Sequence, residues 1–178
     1  MKIAITGSTG LAKAIAGALQ DHEVIHCRIE RELPLDVDVY INNAHIGYNQ
    51  VEILHKLYEN WWTKDNKYII NISSRAHQPN ISKGYLYASQ KAALNHLSNN
   101  LIYNSDKKCR ISTINFGLLD HPELPCLTHE EAAGWVKYLV NLPQNIEVPE
   151  ITVHNSANYR DVQSDKEMLQ DMEWLGLK

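Results

Sequence analysis

The sequence predicts an α/β domain: a doubly wound parallel sheet of about six strands with helices on both faces, three layers in all. Three observations predict it. Strand-like and helix-like segments alternate throughout the chain, the pattern a parallel sheet requires. The first strand-like run leads straight into Thr6-Gly7-Ser8-Thr9-Gly10, a glycine turn ahead of a helix. The length, 178 residues, makes a single domain spanning 1–178 the default and is enough for a real core.

Each element follows from local pattern. Residues 2–6 are apolar and β-rich, and residues 11–19 are Ala-rich and helical. Residues 23–28 and 37–42 read as strands. Val51, Leu54, Tyr58 and Trp61 recur at helical spacing. Residues 68–72 form a buried strand. Residues 85–103 make a long helix with Ala92, Ala93, Leu97 and Leu101 inward, followed by a strand at 110–115. Thr128 and Glu131 make a capping box for a helix ending near Leu142-Pro143. Residues 147–154 are the last strand. Residues 160–178 form a helical tail, with Met168, Leu169, Met172 and Leu175 at helical spacing over about 164–175.

One connection is short. Only residues 29–36 separate the second strand from the third, where a parallel crossover normally takes ~10–12 residues or more. Eight extended residues reach roughly 26 Å, and returning along a strand and stepping across two strand spacings takes roughly 20 Å. The link is predicted to be a stretched strap without a helix, which Pro34 suits.

Composition excludes several classes. Net charge is −4 with no basic block, so nothing argues for nucleic acid. No apolar run approaches membrane-spanning length. Ile3-Ala4-Ile5 is too short for a signal peptide. Cys27, Cys109 and Cys126 lack metal-type spacing. No metal is expected, and a reduced, cytoplasmic setting fits.

Chemistry is concentrated in two places. The turn at Gly7, Ser8, Thr9, Gly10 and Leu11 lets backbone N–H groups meet a pyrophosphate at a helix N-terminus. Arg28 ends the second strand, where an arginine suits a 2′-phosphate, so NADP(H) is favoured and NAD(H) remains possible. Further on, Asn71-Ile72-Ser73-Ser74 closes a buried strand ahead of Tyr87-Ala88-Ser89-Gln90-Lys91. Tyr87 and Lys91 stand i and i+4 on one helix, so they share a face. A free phenol has a pKa of ~10, and lowering it to ~7 takes about 4 kcal/mol. An ammonium ~4 Å away supplies on the order of 4 kcal/mol at an effective dielectric of 20. Tyr87 is then a general acid or base, and Ser74 polarises the substrate oxygen. A second match, Tyr103 to Lys107, has no serine at the same offset and is read as a decoy.

These stretches, with Asn42-Asn43-Ala44 and Ile114-Asn115-Phe116-Gly117, make the chain resemble the short-chain dehydrogenase/reductase family nearly throughout, with its Rossmann-type fold. The resemblance implies hydride transfer between a nicotinamide cofactor and a small-molecule carbonyl or alcohol. Tyr87 would be the acid/base, Ser74 the donor to the substrate oxygen, and Lys91 the residue that binds the nicotinamide ribose. Asn49 would hold a water in a proton relay. Asn43, Ala44, His45, Ile72, Phe116, Gly117 and Leu118 would line the cofactor cleft, and Tyr85 and His121 would face the substrate. A homodimer or homotetramer through the helices of Trp61 and Tyr87 is implied too, with Trp61 and Trp62 either in that interface or in the subunit core.

The chain also departs from the family pattern. Ala12 stands where a third glycine is usual, and His45 where a glycine usually follows Asn-Asn-Ala. The strap replaces a helix and the usual third strand, which ordinarily wall the adenine pocket, so an exposed adenine and weak cofactor binding are expected. Residues 118–127 are too few for a substrate lid. These departures motivate an alternative: a cofactor-binding regulatory or scaffold protein of the same fold without turnover.

Overall fold

Along β1 (Lys2–Thr6), alternate side chains serve opposite faces of the sheet: Ile3 and Ile5 enter one core, Ala4 the other. The same alternation builds β2 (Glu23–Cys27), β3 (Val39–Asn42), β4 (Tyr68–Ser74), β5 (Arg110–Phe116) and β6 (Glu150–Val153) into one sheet. The computed structural model describes residues 1–29, 32–79, 81–82 and 84–157. Within these the strand order is β2-β1-β3-β4-β5-β6, and every ladder is parallel. Four helices accompany them: α1 (Leu11–Ala18), α2 (Asn49–Trp61), α3 (Tyr85–Ile102) and α4 (His129–Val140). The doubly wound, three-layer arrangement is the one expected. The tail helix anticipated beyond residue 160 lies outside the described residues.

α1 and α4 cover one face, where Ile15, Leu19, Val136 and Leu139 meet Ile5, Ile41, Ile70 and Ile114. α2 and α3 cover the other with Leu54, Leu57, Trp61 and Leu94 against Tyr40, Ile69 and Ile111. Trp61 is fully buried in this core, whereas Trp62 at the helix end is 40% exposed. The capping box of α4 is present: the Glu131 amide donates to the Thr128 hydroxyl (3.1 Å), and the Thr128 amide to the Glu131 carboxylate (2.8 Å).

The face of α3 differs from expectation. Ala92, Ala93, Leu97 and Leu101 are only half-buried. The buried positions are Gln90, Lys91, Leu94, Asn95, Ser98 and Ile102. Polar side chains take the inward stripe because the sheet beneath offers partners for them: Asn71, Ser73, Thr113 and Asn115.

The link from β2 to β3 is a strap, with no helix among its described residues. Ile29 and Leu33 pack against the α2/α3 core, and Val37 is buried in it. Asp38 and Lys2 hold each other in both directions at 2.8 Å, and the Lys67 amine donates to the Val37 carbonyl at 2.6 Å. β2 pairs with β1 alone among the described residues. No described helix is long and apolar enough to cross a membrane. From β1 the chain winds outward to β2 and then back to β3, so the crevice between β1 and β3 is where such sheets bind ligands.

Candidate active site

The glycine turn closes β1 onto this crevice. Gly7 (φ +93°) and Gly10 (φ +51°) adopt backbone conformations that side chains disfavour. The Gly7 amide donates to the Cys27 carbonyl (3.0 Å), and His26 Nδ1 lies 2.8 Å from the Gly7 carbonyl, so the turn is fastened to the end of β2. Ser8, Thr9 and Gly10 are exposed. α1 begins without a side-chain cap and without an acidic residue in its first turn. Its N-terminal N–H groups and dipole are therefore presented to an anion. Arg28 directly follows β2 and is exposed.

Beside the turn, the Thr6 hydroxyl accepts from the amides of Asn43 (2.8 Å) and Ala44 (2.9 Å), and the Asn43 side chain donates to the Thr6 carbonyl (3.1 Å). This clamps the end of β3 to the end of β1. Together with Leu11, Asn43, His45, Ile72, Phe116, Gly117 and Leu118, the expected catalytic residues Ser74, Tyr87 and Lys91 line one cavity of about 390 Å³. Gly117 is required by packing, since a Cβ there would meet the His154 Cβ at 2.7 Å.

Ser74 ends β4 and caps the 3₁₀ turn Arg75–His77, its hydroxyl oxygen accepting from the Ala76 amide at 3.1 Å. Tyr87 stands in the first turn of α3. The Lys91 amine, one turn on, is 5.6 Å from the centroid of the Tyr87 ring. Lys91 is buried and donates to Gln50 Oε1 (2.6 Å) and the Ile72 carbonyl (3.0 Å). Burial lowers its pKa to about 7. Burial raises the Tyr87 phenol above its ordinary value, and the neighbouring Ser74 hydroxyl opposes that rise. The expected depression of the phenol is thus absent in the free protein: the amine is desolvated and turned toward Gln50 and Ile72.

Other expected residues lie elsewhere. Asn49 faces a separate shallow depression with Ile29, Leu33 and Glu52. The residue that meets Lys91 is its neighbour Gln50, which also donates to the carbonyls of Asn42 (2.7 Å) and Ile72 (3.0 Å). Gln50 belongs to the same stripe as Ile53, Leu54, Leu57 and Trp61, a signal present in the sequence. Tyr85, 74% exposed, does not line the cavity. His121 does not either: its Nδ1 accepts from the amides of Glu123 and Leu124, both at 3.2 Å, and so organises its own loop. His45 does reach the site and meets the Tyr87 ring edge-on at 4.9 Å. Burial and the Lys91 charge lower its pKa, while the neighbouring Gln90 opposes this. The cavity also includes Arg75, Ile81, Ser82 and Leu119, which sequence reasoning missed.

Under α3 a polar network supports Ser74 from behind. The Ser73 hydroxyl donates to Asn95 Oδ1 (2.5 Å), and the Asn95 amide donates to Asn115 Oδ1 (2.8 Å) and Glu150 Oε1 (3.2 Å). His77 joins its Nδ1 to the Ser74 carbonyl at 2.7 Å and its Nε2 to Glu150 at 3.8 Å.

No family model matches the chain, and no curated protein does. Solved structures do. One is the closed form of serine dehydrogenase complexed with NADP+, at 16% identity over 86% of this chain and 94% of that one, with a TM-score of 0.73. An alcohol dehydrogenase from the archaeon Thermococcus sibiricus, complexed with 5-hydroxy-NADP, is 20% identical over 88% and 97%, with a TM-score of 0.69. A short chain dehydrogenase from Burkholderia cenocepacia in complex with NADP is 14% identical over 96% and 98%, with a TM-score of 0.70. The fold is that of these dehydrogenases.

Proposed function

We propose that this chain is a short-chain dehydrogenase/reductase, an oxidoreductase that interconverts a carbonyl and an alcohol with a nicotinamide dinucleotide. The observation that carries the reading is the meeting of Ser74, Tyr87 and Lys91 in the cavity that also touches the start of α1. The fold it shares with structures titled as NADP, 5-hydroxy-NADP and NADH complexes supports it.

The residues present fit such a cofactor. The uncapped N-terminus of α1, with its positive-φ glycines, suits a pyrophosphate. Asn43, Ala44, Ile72, Phe116 and Gly117 would flank the nicotinamide half, and Arg28 would favour a 2′-phosphate, hence NADP(H) over NAD(H). Once bound, the nicotinamide gives or takes the hydride.

The chain's own groups handle the proton. Tyr87 gives it to the nascent alkoxide in reduction and removes it from the alcohol in oxidation. Its raised pKa keeps the phenol loaded, which suits reduction. The Ser74 oxygen already accepts from Ala76, which leaves its proton to hold the substrate oxygen where negative charge grows. Lys91, anchored by Gln50 and Ile72, keeps one N–H of its protonated form for the ribose and the phenol. Gln50, the neighbour of Asn49, is the residue that anchors Lys91. We also propose a homodimer or homotetramer assembled through the outer faces of α2 and α3, where Trp62, Tyr85, Leu86 and Tyr103 are exposed.

The test follows NADPH absorbance with a panel of aldehydes, ketones and quinones. Turnover is expected, with Tyr87→Phe lowering kcat/KM by ~10²–10⁴ while NADPH affinity stays within about threefold. Cofactor binding without turnover of any substrate would favour the regulator reading instead. Exchange of Arg28 for Asp is expected to reverse the preference for NADPH over NADH.

A further inference from the structure

One charged side chain of the cavity has no part in the reaction just described. Lys91 is turned to Gln50 and Ile72, Ser73 to Asn95, and Asn43 to the end of β1. His45 lies against the edge of Tyr87. Arg75 remains, half-buried and on the cavity wall.

Its position is set by the turn it opens. The Ser74 hydroxyl accepts from the Ala76 amide, and the His77 ring is joined to the Ser74 carbonyl, so both ends of the turn are pinned. The Cα of Arg75 follows that of Ser74 by ~3.8 Å. The arginine side chain therefore leaves the cavity wall one residue from the hydroxyl that would hold the reacting oxygen. The same cavity is lined by the apolar Ile81, Leu118 and Leu119, and no described lining residue is a carboxylate. The nearby acid Glu150 is engaged by Asn115 (2.5 Å), Asn95 and His77.

We propose that Arg75 is a carboxylate-binding subsite, and that the substrate is a short oxo acid or the matching hydroxy acid. An arginine matches a carboxylate with two parallel hydrogen bonds and stays charged at any working pH. The carboxylate lies on Arg75, the reacting oxygen on Ser74 and Tyr87, and the intervening carbons against Ile81 and Leu119. The cavity, about 390 Å³, is near the small end for ligand sites and must also admit the nicotinamide ring, which limits the acid to a few carbons. This rests on the oxidoreductase reading.

The test uses the full chain, NADPH and paired probes in which a carboxylate is exchanged for an acetyl group: pyruvate against butane-2,3-dione, acetoacetate against pentane-2,4-dione, and levulinate against hexane-2,5-dione. The carboxylate of at least one pair is expected to have the higher kcat/KM. Arg75→Ala is expected to lower that value roughly ten- to a hundredfold, through KM, while the dione changes less than about threefold and NADPH affinity holds. Arg75→Lys is expected to restore part of the loss. If the diones are reduced but Arg75→Ala affects both members equally, or the acids are never preferred, the subsite is overturned while the oxidoreductase reading stands. If nothing is reduced, both fall. A second readout covers a variant that folds poorly: malonate should compete with dione reduction in the native chain, and its failure to do so counts against the subsite.

Discussion

The two faces of the sheet obey opposite rules. On the α1/α4 face the core is built of aliphatic and aromatic side chains, with Val136, Leu139 and Ile15 filling it and the Tyr68–Ser112 hydroxyl pair (2.7 Å) as a polar exception. On the α3 face, toward β5 and β6, the buried stripe carries Lys91, Asn95 and Ser98 over Asn71, Ser73, Thr113 and Asn115. The first face is shaped by the removal of apolar area from water, which is non-directional. The second needs each donor aimed at an acceptor, because an unpaired buried group costs more than a pair contributes. The difference teaches where the molecule spends order. Directional bonding is concentrated behind Ser74, Tyr87 and Lys91, where side chains must hold one geometry, and the other face only has to be filled.

Substitutions on the two faces can break or sharpen that contrast. The largest effect is on rate: Tyr87→Phe is expected to lower turnover by ~10²–10⁴ with the thermal midpoint unmoved, as read by a calorimetric scan beside the assay. Next is Leu139→Ala on the filled face, expected to cost about 2–5 kcal/mol in urea unfolding while the KM values of the surviving protein stay the same. Asn95→Ala on the directional face removes the partner of Ser73 and Asn115, costing about 1–3 kcal/mol, and should lower kcat as well. A loss of stability alone would mean that the network only props the helix.

Titration sharpens the comparison further. Burial lowers Lys91 from 10.5 to about 7. Between those values the unfolded chain binds the extra proton, so stability climbs with rising pH through that window. Its contribution is about 1.36 kcal/mol per unit. Below about 7 both states are protonated, and the folded chain carries the whole cost of the buried charge. Lys91→Met should flatten this slope in urea titrations, and an unchanged slope would assign it to another group. The smallest effect is Thr128→Ala at the α4 cap, about 1 kcal/mol, with no kinetic change.

The fold was legible where the pattern was strong. Alternation placed the six strands, and the eight-residue link at 29–36 foretold a strap. Thr128 and Glu131 marked the start of α4 correctly. That Ser74, Tyr87 and Lys91 share one cavity was legible because they lie on elements whose pairing follows from chain order. What failed was the choice of face or of loop direction. α3 was turned by its alanines and leucines, whereas its buried stripe is polar because β4 and β5 supply partners across the chain. Asn49 follows from approximate spacing in the family's pattern, whereas the helical stripe through Ile53 and Leu57 points Gln50 at Lys91. His121 and Tyr85 sit at loop-adjacent positions, and a loop histidine bonded to its own backbone leaves no periodic trace. Arg75 was visible beside Ser74, but its place on the wall depends on a 3₁₀ turn that no repeat announces.

The strap leaves β2 as the outermost ribbon, hydrogen-bonded on a single side among the described residues. A row with one neighbour is where a ladder unzips first. Amide deuteration is therefore expected to creep inward from the margin, reaching Glu23–Cys27 well before Val39–Asn42. Gly7 hangs from Cys27, so the same fraying loosens the anion-cradling loop, and a bound dinucleotide would act as the rivet that closes this seam.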